Sequence, residues 1–293
     1  MCLMTNELEK VSMDFSTMSD YLKCRRRGYY RHELNIVPRS PSSALAFGSA
    51  FHEAMASWYL DRDEKLAMEA FLESWNRSSS QWSEINSQDG IFGQDFGDDK
   101  RNAQNGLKIL KEYFQIYQKE PFEIISNEFP FEIPLGSDGE RSYHLTGKID
   151  LLVKWGEQIL VVDHKTTSQL GPTFFRQFDP SLQIDGYVLA GKTIFGKCDG
   201  ALINAILVAK TKQTFDRDIF IKTEEDLETY RHEAMEHMYE IWRSRQRGGV
   251  PARNTDACTL YGSCPYRELC LAKGDERVIQ TRYRTEVWNP FLV

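Results

Sequence analysis

The sequence predicts an α/β protein with a mixed central β-sheet flanked by helices, and three observations favour this class. Apolar residues recur at helical spacing before residue 119 and again after residue 223. Between these regions, three successive segments alternate apolar and polar residues with a period of two. A further helical segment and an apolar strand follow the alternating segments. A helix, a three-stranded meander, a helix and a strand in this order indicate a mixed sheet.

Five helices are predicted from the apolar periodicity and from capping residues. They cover residues 16–32, 44–60, 101–119, 179–195 and 223–247. A Ser or Thr cap opens the first helix. Asp179 caps the fourth, with Pro180 at its first helical position. Residues 61–98 hold polar and glycine-rich pieces, which predict a mobile surface excursion.

Five strands are predicted, and three of them form the meander. The meander strands are 122–135, 143–155 and 158–166, with the polar turns SDGE and GEQ between them. The apolar run 200–210 predicts a buried strand, and 214–222 predicts its partner. The sequence shows no internal repeat.

Length and charge narrow the range of functions. A chain of 293 residues is long enough to bury a sizeable core. The net charge of −7 argues against a generic nucleic-acid coat protein. A negative net charge does not exclude an enzyme that binds DNA through a local patch and neutralises phosphates partly through bound metal ions. The polar N-terminus predicts no signal peptide, and no apolar run approaches the ~18 residues of a membrane span.

Two meander strands carry charged residues that suit phosphate chemistry. Alternate side chains of a strand share a face, so Asp163 and Lys165 point the same way while His164 points opposite. Asp150 on the neighbouring strand can bring a second carboxylate to the same place. Two carboxylates can hold Mg²⁺ or Mn²⁺, and a lysine can stabilise the transition state of phosphodiester hydrolysis. The alternative is a salt-bridged pair on a solvated sheet, which the tripeptide alone favours.

Two pairs of helical residues at i, i+4 extend this candidate site. Gly48 precedes His52 by one turn, which allows a close backbone approach and makes the imidazole a candidate metal ligand. Gln183 and Tyr187 form one polar ridge that could face a phosphate backbone. Taken alone, His52 is more simply a core histidine, and the second pair is more simply surface decoration.

Four motifs in order carry a family resemblance: GxxxH (Gly48 to His52), GxxD (Gly147 to Asp150), DxK (Asp163 to Lys165) and QxxxY (Gln183 to Tyr187). The arrangement resembles the RecB-type branch of the PD-(D/E)XK nucleases. It is most similar to the CRISPR-associated and phage RecB-like exonucleases that carry an iron–sulfur cluster. Each motif is weak alone, but four in this order, with cysteines outside both ends, form a strong signal. The resemblance implies a PD-(D/E)XK nuclease core.

The resemblance also implies a catalytic Mg²⁺ or Mn²⁺ and a role for each site residue. The metal ligands would be the side chains of His52, Asp150 and Asp163 and the backbone carbonyl of His164. Lys165 would be the catalytic lysine, and Gln183 and Tyr187 would help to orient DNA and the active site. Glu128 lies where such proteins often carry an acidic residue, and the sequence assigns it no role.

Six cysteines without a secretion signal indicate a reducing compartment, where clustered thiols more often bind metal than form disulfides. Cys258, Cys264 and Cys270 need a fourth thiolate, for which the chain offers Cys2, Cys24 and Cys198. The resemblance matches Cys24 to the first cluster cysteine, which implies one [4Fe–4S] cluster on Cys24, Cys258, Cys264 and Cys270. Zinc is the alternative. Many relatives space their C-terminal cysteines as CxxC followed by a longer gap, whereas both gaps here are five residues.

The expected function is that of a metal-dependent deoxyribonuclease, an exonuclease acting on single-stranded DNA or DNA ends in recombination or repair. DNA is the expected partner, with a homo-oligomer or recombination- or CRISPR-related proteins as further ones and no membrane. The expected location is the cytoplasm of a bacterial, archaeal or phage-infected cell. One alternative is a non-catalytic DNA-binding or assembly subunit that retains the fold. Another is a structural zinc protein with an unrelated hydrolase site.

Three segments are expected along the chain. Residues 1–43 would form an N-terminal helical segment that supplies one cluster cysteine. Residues 44–222 would form the nuclease core, with a helical insertion at about 61–120. Residues 223–293 would form a C-terminal helix and cysteine tail. The basic run 23–27 beside the first cluster cysteine could guide the DNA backbone, or be a solvated helix face.

Overall fold

The computed structural model describes residues 8–39, 42–86, 98–260 and 263–291. A mixed six-stranded sheet lies at its centre with helices on both faces, so the predicted α/β architecture is confirmed. The strands are β1 (Glu9–Asp14), β2 (Ile36–Pro38), β3 (Glu123–Ser137), β4 (Arg141–Trp155), β5 (Gln158–Thr167), β6 (Gly200–Leu207), β7 (Thr214–Ile221) and β8 (Tyr283–Thr285). The sheet runs β1-β4-β5-β6-β7, β3 pairs with the other edge of β4, and β2 and β8 form a separate ribbon.

The helices differ in length, and α3, α4 and α8 are the long ones. The α-helices are α1 (Phe15–Lys23), α2 (Arg25–Gly28), α3 (Ser43–Asp61), α4 (Glu64–Asn86), α5 (Ala103–Ile116), α6 (Pro172–Phe175), α7 (Leu182–Phe195), α8 (Glu224–Gln246), α9 (Arg267–Leu271) and α10 (Glu276–Arg282). None of the helices in the described ranges is long and apolar enough to cross a membrane.

The core consists of two layers, one on each face of the sheet. Helices α1, α7 and α8 cover one face, and α3, α4 and α5 cover the other. Phe47 and Phe51 of α3, one turn apart, are fully buried on the second face because the apolar stripe of this helix points at the sheet. Burying each such side chain stabilises the fold by roughly 1.5–3 kcal/mol. The sheet is thereby fixed as the rigid support for side chains at its strand ends.

The segment predicted as a surface excursion is largely helical, so that prediction is wrong for residues 64–86. Helix α4 buries Phe71 and Trp75, whose ring centroids lie 5.6 and 6.0 Å from that of Phe47 in α3. This aromatic packing outweighs the polar composition of the segment. Residues 87–97 of the same prediction lie outside the described ranges.

Two predicted helix boundaries also differ from the structure. The first predicted helix is broken at Cys24, whose backbone is extended with φ of −164°, and it resumes as α2 and a π-helix at Tyr29–Glu33. Helix α7 is capped by Ser181 rather than by Asp179, because the Ser181 hydroxyl accepts the backbone N–H of Ile184 at 3.4 Å. Strand β1, which the sequence did not predict, pairs in parallel with β4.

A third apolar cluster joins the two ends of the described chain. It contains Tyr30, Ile36, Tyr266, Leu269 and Tyr283, all of them buried. Strands β2 and β8 pair antiparallel beside it. The segment around Cys24 and the cysteine tail are therefore packed together rather than separate.

Candidate active site

Strand β4 changes its partner along one edge, and this change opens a gap in the sheet. Pairing with β1 ends at Thr146, and pairing with β5 begins at Leu151. Strand β5 leaves β4 after Val162 and continues alongside β6. Side chains from the two diverging strands, Asp150 on β4 and Asp163 on β5, enter the gap. The site therefore forms where the sheet itself forks.

Lys165 is held between two partners in this gap. Its Nζ donates hydrogen bonds to Asp163 Oδ1 at 2.9 Å and to Gln183 Oε1 at 3.0 Å. Asp163 is 1% exposed, and its Oδ2 lies 2.7 Å from the same ammonium. Apart from this ion pair, that oxygen has no hydrogen-bond donor among the described residues. The strand thus presents an oriented ammonium and a buried carboxylate with one oxygen still able to accept.

Asp150 and His52 form a second pair beside the first. The Nδ1 of His52, on α3, lies 3.2 Å from Asp150 Oδ2. The same oxygen accepts the backbone N–H of His164 at 3.2 Å, so the carboxylate bridges the fork from β4 to β5. A Cβ at Gly48, one turn before His52, would stand 3.6 Å from the hydroxyl of Thr166, which is an ordinary contact, so the predicted close backbone approach is not found there. Helix α3 brings the imidazole to Asp150 without it.

The charges of the site shift the pKa values of its members. Burial alone would raise the pKa of Asp150, but the charge of His52 and its hydrogen bond outweigh burial and lower it. The pKa of His52 is raised because the attraction of Asp150 outweighs burial, which acts in the opposite direction. Burial raises the pKa of Asp163, and Lys165 offsets only part of this effect. Asp163 therefore depends on nearby cations to remain ionised.

Gln183 and Tyr187 lie on one face of α7, as their spacing predicts. The Gln183 amide nitrogen donates to the Tyr187 hydroxyl at 3.3 Å, while its oxygen accepts from Lys165. The Tyr187 ring meets Phe131 edge-on, with centroids 6.0 Å apart. The pair is therefore not a free surface ridge. Gln183 positions the lysine, and Tyr187 positions Gln183.

His164 points to the opposite face of β5, as the strand alternation predicts. Its ring is buried and stacks on Tyr59 of α3, with centroids 5.5 Å apart and an interplanar angle of 12°. The amide of Asn204 on β6 lies 2.8 Å from its Nδ1. Burial lowers the pKa of His164 to about 3, so the ring is neutral near pH 7. The imidazole is a packing element, and only the backbone of His164 faces the fork.

A buried charged network behind His164 was not predicted from the sequence. Arg217 of β7 donates to both carboxylate oxygens of Glu120, at 2.6 and 2.9 Å. It also donates to Tyr113 at 2.8 Å and to Asn204 at 3.0 Å. The side chain of Glu120 is 2% exposed. The signal that could have found Arg217 is its place in the alternation of β7, between inward-facing Phe215 and Ile219.

Six of the predicted site residues border one cavity of about 310 Å³: His52, Asp150, Asp163, Lys165, Gln183 and Tyr187. Glu128 borders it as well. It stands across from Asp150, between the register pairs Asn127–Leu151 and Phe129–Ile149. Burial raises the pKa of Glu128, and its ion-pair partner Lys148 offsets only part of the effect. Glu128 thus adds to the acids of this cavity, whose lining also includes Asp14 and Glu53.

The four cysteines named for a cluster border a second cavity, of about 260 Å³: Cys24, Cys258, Cys264 and Cys270. The backbone N–H of Asn254 donates to the Cys24 sulfur at 3.3 Å. Cys198 lies instead in the core beneath α7, where burial raises its pKa to about 11. Cys2 is outside the described ranges.

Across residues 8–39, 42–86, 98–260 and 263–291, no group of three or more His, Cys, Asp or Glu side chains is arranged to hold a metal ion. The donor chemistry of the two cavities nevertheless differs. Carboxylates and an imidazole in the first suit Mg²⁺ or Mn²⁺, and the Asp163 oxygen that lacks a hydrogen bond suits a cation. Thiols in the second suit zinc or an iron–sulfur cluster.

The family of the chain is shown by a sequence model of the family rather than by individual known proteins. No curated protein matches the chain. One similar solved structure, from Eubacterium rectale and described as a "putative exonuclease", is 17% identical with a TM-score of 0.43 and covers 90% of this chain and 94% of its own. Another, SSO0001, is 13% identical with a TM-score of 0.33 and covers 67% of this chain and 80% of its own. The sequence model of the PD-(D/E)XK nuclease superfamily matches residues 12–271. The chain, with its forked sheet and its Asp163–Lys165 strand, belongs to the PD-(D/E)XK nuclease superfamily.

Proposed function

We propose that this protein is a metal-dependent DNA nuclease of the RecB-like type. It would hydrolyse phosphodiester bonds as an exonuclease on single-stranded DNA or at DNA ends. One observation carries the proposal: Lys165 is fixed between Asp163 and Gln183 in the same cavity as Asp150 and His52. A salt bridge on a solvated sheet would not need a carboxylate that is 1% exposed or a glutamine as second acceptor.

The residues that would hold Mg²⁺ or Mn²⁺ are the side chains of His52, Asp150 and Asp163 and the backbone carbonyl of His164. Bound there, the ion would polarise the phosphate and lower the pKa of a water molecule. Asp163 Oδ2 supports this assignment, because its only ion-pair partner among the described residues is the Lys165 ammonium and burial raises the pKa of the carboxyl, so a further cation would help to keep it ionised. Glu128 is close enough to add a carboxylate to the same cavity.

The chain's own groups would act on the phosphate as well. The Lys165 ammonium would neutralise charge that develops on the phosphate oxygens as the bond to the leaving oxygen breaks. Its two hydrogen bonds hold it in position, so little reorganisation is needed when DNA arrives. Gln183 and Tyr187 would act through the lysine, as positioning residues. The intact lysine and carboxylates argue against a non-catalytic subunit, which has no use for them.

We further propose that Cys24, Cys258, Cys264 and Cys270 hold a [4Fe–4S] cluster. Their common cavity supports this, as does the separate burial of Cys198 in the main core. Four thiolates are what such a cluster requires. The cluster's role would be structural, because a ligand bound only by the folded state stabilises that state. Zinc on the same four thiols is the competing assignment.

A digestion experiment tests the nuclease proposal. Anaerobically purified protein is incubated with single- and double-stranded DNA labelled at either end, with Mg²⁺, Mn²⁺ or EDTA. Digestion should need a divalent ion and should favour single strands or ends. Lys165→Ala should reduce the rate on the order of 10²-fold or more while leaving the fold intact. The exposed lysine variant Lys111→Ala is the matched control. Wild-type digestion by folded Lys165→Ala protein would overturn the proposal.

A further inference from the structure

The lining of the cavity that holds the candidate active site is chemically mixed. It includes the charged residues of the fork and also apolar side chains from three distant parts of the chain. The apolar residues are Phe15, Leu45, Trp288 and Pro290. Leu45 is 65% exposed although it lies beside a deep polar site. This apolar wall, as defined by those four residues, has no role in metal binding or in orienting Lys165.

Trp288 is the largest member of the apolar wall, and its orientation is fixed. The indole N–H donates to Asp14 Oδ2 at 2.9 Å. Asp14 is buried and caps α1 by accepting the backbone N–H of Thr17 at 3.1 Å. The Arg31 guanidinium lies over the ring, 5.0 Å from its centroid, and the His32 ring meets it edge-on at 6.1 Å. The indole is half-buried, is held in place by these contacts and borders the cavity, with Arg31 over one face of the ring.

The segment that carries Trp288 is anchored immediately before it. Strand β8 pairs with β2, and the backbone N–H of Glu286 donates to the carbonyl of Asn35 at 2.7 Å. Arg31 donates to the carbonyl of Glu286 at 2.8 Å. Between this anchor and Trp288 stands Val287, which is 74% exposed. The contacts of this segment therefore hold the indole at the cavity, while the neighbouring Val287 stays exposed.

We propose that the apolar wall binds an unpaired nucleobase next to the scissile phosphate, with Trp288 as its stacking platform. The proposal rests on the nuclease function proposed above. A phosphate at the fork places the adjoining sugar and base within the same cavity of about 310 Å³. The base is the part of a DNA strand that has an apolar face, and stacking on an aromatic ring tolerates any base because every base has a π-face.

Strand selectivity follows from this arrangement. A base can stack on Trp288 only after it has left its partner and its neighbours, because both faces of a paired base are covered in a duplex. Single-stranded DNA and frayed ends offer such bases without an unpairing cost, whereas the interior of a duplex does not. The wall would thus select unpaired DNA without reading its sequence.

Steady-state digestion of two matched strands tests the proposal. One is an ordinary single-stranded oligonucleotide, and the other has the same length but only abasic tetrahydrofuran units. For the ordinary strand, Trp288→Ala should raise KM on the order of tenfold and change kcat little. For the abasic strand, the same variant should leave KM at the wild-type value. Trp288→Phe should restore most of the affinity, and Val287→Ala, its exposed neighbour, should behave as wild type.

The outcomes separate the failure of this inference from that of the proposed function. If Trp288→Ala leaves KM unchanged, or raises it equally for both strands, the base-stacking role is overturned. The proposed nuclease function still stands in that case, because the wild-type protein digests the strands. Wild-type protein that digests neither strand overturns both. If Trp288→Ala does not fold, Leu45→Ala replaces it, since an exposed leucine can be removed at little cost in stability. Its rise in KM must likewise be confined to the strand that carries bases.

Discussion

Lys165 and Gln183 are joined by a 3.0 Å hydrogen bond that connects strand β5 to helix α7 across the candidate active site. The bond leaves the lysine ammonium between a carboxylate and an amide oxygen, so its direction is set by two different elements. Tyr187, one turn further along α7, holds the amide in turn. The position of the catalytic candidate thus depends on how α7 docks onto the sheet.

Gln183→Leu should lower kcat on the order of tenfold with little change in KM, because the ammonium loses the acceptor that orients it. Gln183→Glu, which keeps an acceptor oxygen, should retain more activity than the leucine variant. Steady-state digestion of labelled single-stranded DNA measures both. Gln177→Leu, an exposed glutamine outside the cavity, is the control. Equal activity of wild type and Gln183→Leu would remove Gln183 from the site.

His52→Ala should raise the metal concentration needed for half-maximal activity, and Mn²⁺ should restore more activity than Mg²⁺. The reason is that the imidazole would be the nitrogen donor of the proposed ligand set, and Mn²⁺ accepts nitrogen better than Mg²⁺ does. Titrations of both ions against digestion rate measure the effect. An unchanged metal dependence would return His52 to the role of a partner for Asp150 alone.

Cys24→Ser should lose both the cluster and stability, whereas Cys198→Ser should lose neither. Cys24 borders the cavity of the four thiols, while Cys198 is packed in the main core. Anaerobically prepared wild-type protein should be brown, absorb near ~400 nm and contain iron and sulfide in equal amounts. For both variants, elemental analysis measures the iron, sulfide and zinc content, and thermal unfolding measures the stability. A colourless protein with stoichiometric zinc would refute the iron–sulfur assignment and leave the nuclease proposal untouched.

Arg217→Met should lower the free energy of unfolding by about 3–5 kcal/mol, because it leaves the Glu120 carboxylate buried without its ion-pair partner. Adding Glu120→Leu to it should recover part of the loss. Arg243→Met, which breaks an exposed pair with Glu240, should cost less than about 1 kcal/mol. Urea unfolding measures all three. A loss for Arg217→Met no larger than that of Arg243→Met would contradict the buried network.

The pH dependence of stability should carry a contribution from His164. Its folded-state pKa of about 3 lies below the ordinary value of 6.5. Between these two pH values the His164 imidazole is therefore protonated in the unfolded chain but not in the folded chain. The free energy of unfolding should therefore fall as pH drops from 6.5 towards 3, by up to ~1.4 kcal/mol per pH unit.

Urea unfolding at pH 7.5 and 5.5 in metal-free buffer tests this contribution. His164→Gln should lose less stability between the two pH values than wild type does. His232→Gln removes an exposed histidine and should follow the wild-type dependence. Parallel losses for wild type and His164→Gln would show that the ring is not held neutral by burial.

The parts of the site that could be predicted are those that depend on local periodicity. Alternation along β5 puts Asp163 and Lys165 on one face and His164 on the other, and the structure has them so. Helical spacing likewise puts Gln183 and Tyr187 on one face of α7. The periods of two residues in a strand and about 3.6 residues in a helix are properties of the segment itself, so the shared faces follow from the sequence wherever the predicted element forms.

The parts that could not be predicted depend on contacts between distant segments. Gln183 was expected to help orient DNA and the active site, but its hydrogen-bond partner Lys165 lies on another element and could not be identified from α7 alone. Arg217 and Glu120 are 97 positions apart, and neither segment alone indicates the other. Strand β1 is six residues long and gains its hydrogen bonds from β4, more than 120 positions later. Helix α4 is held by aromatic contacts to α3, which the polar composition of its segment did not indicate.

The hydrogen bond between Asp14 and Trp288 spans 274 positions, and this has a consequence for the order in which the protein is made. The ribosome has added the acids of the fork, Lys165, Gln183 and Tyr187 once residue 187 is synthesised, but the indole follows 101 residues later (288 minus 187). At 5–20 residues per second, that interval is roughly 5–20 s. During it the nascent chain contains the side chains proposed for hydrolysis but lacks the indole proposed to select unpaired DNA. The proposed selectivity would therefore be completed later in synthesis than the proposed hydrolytic residues.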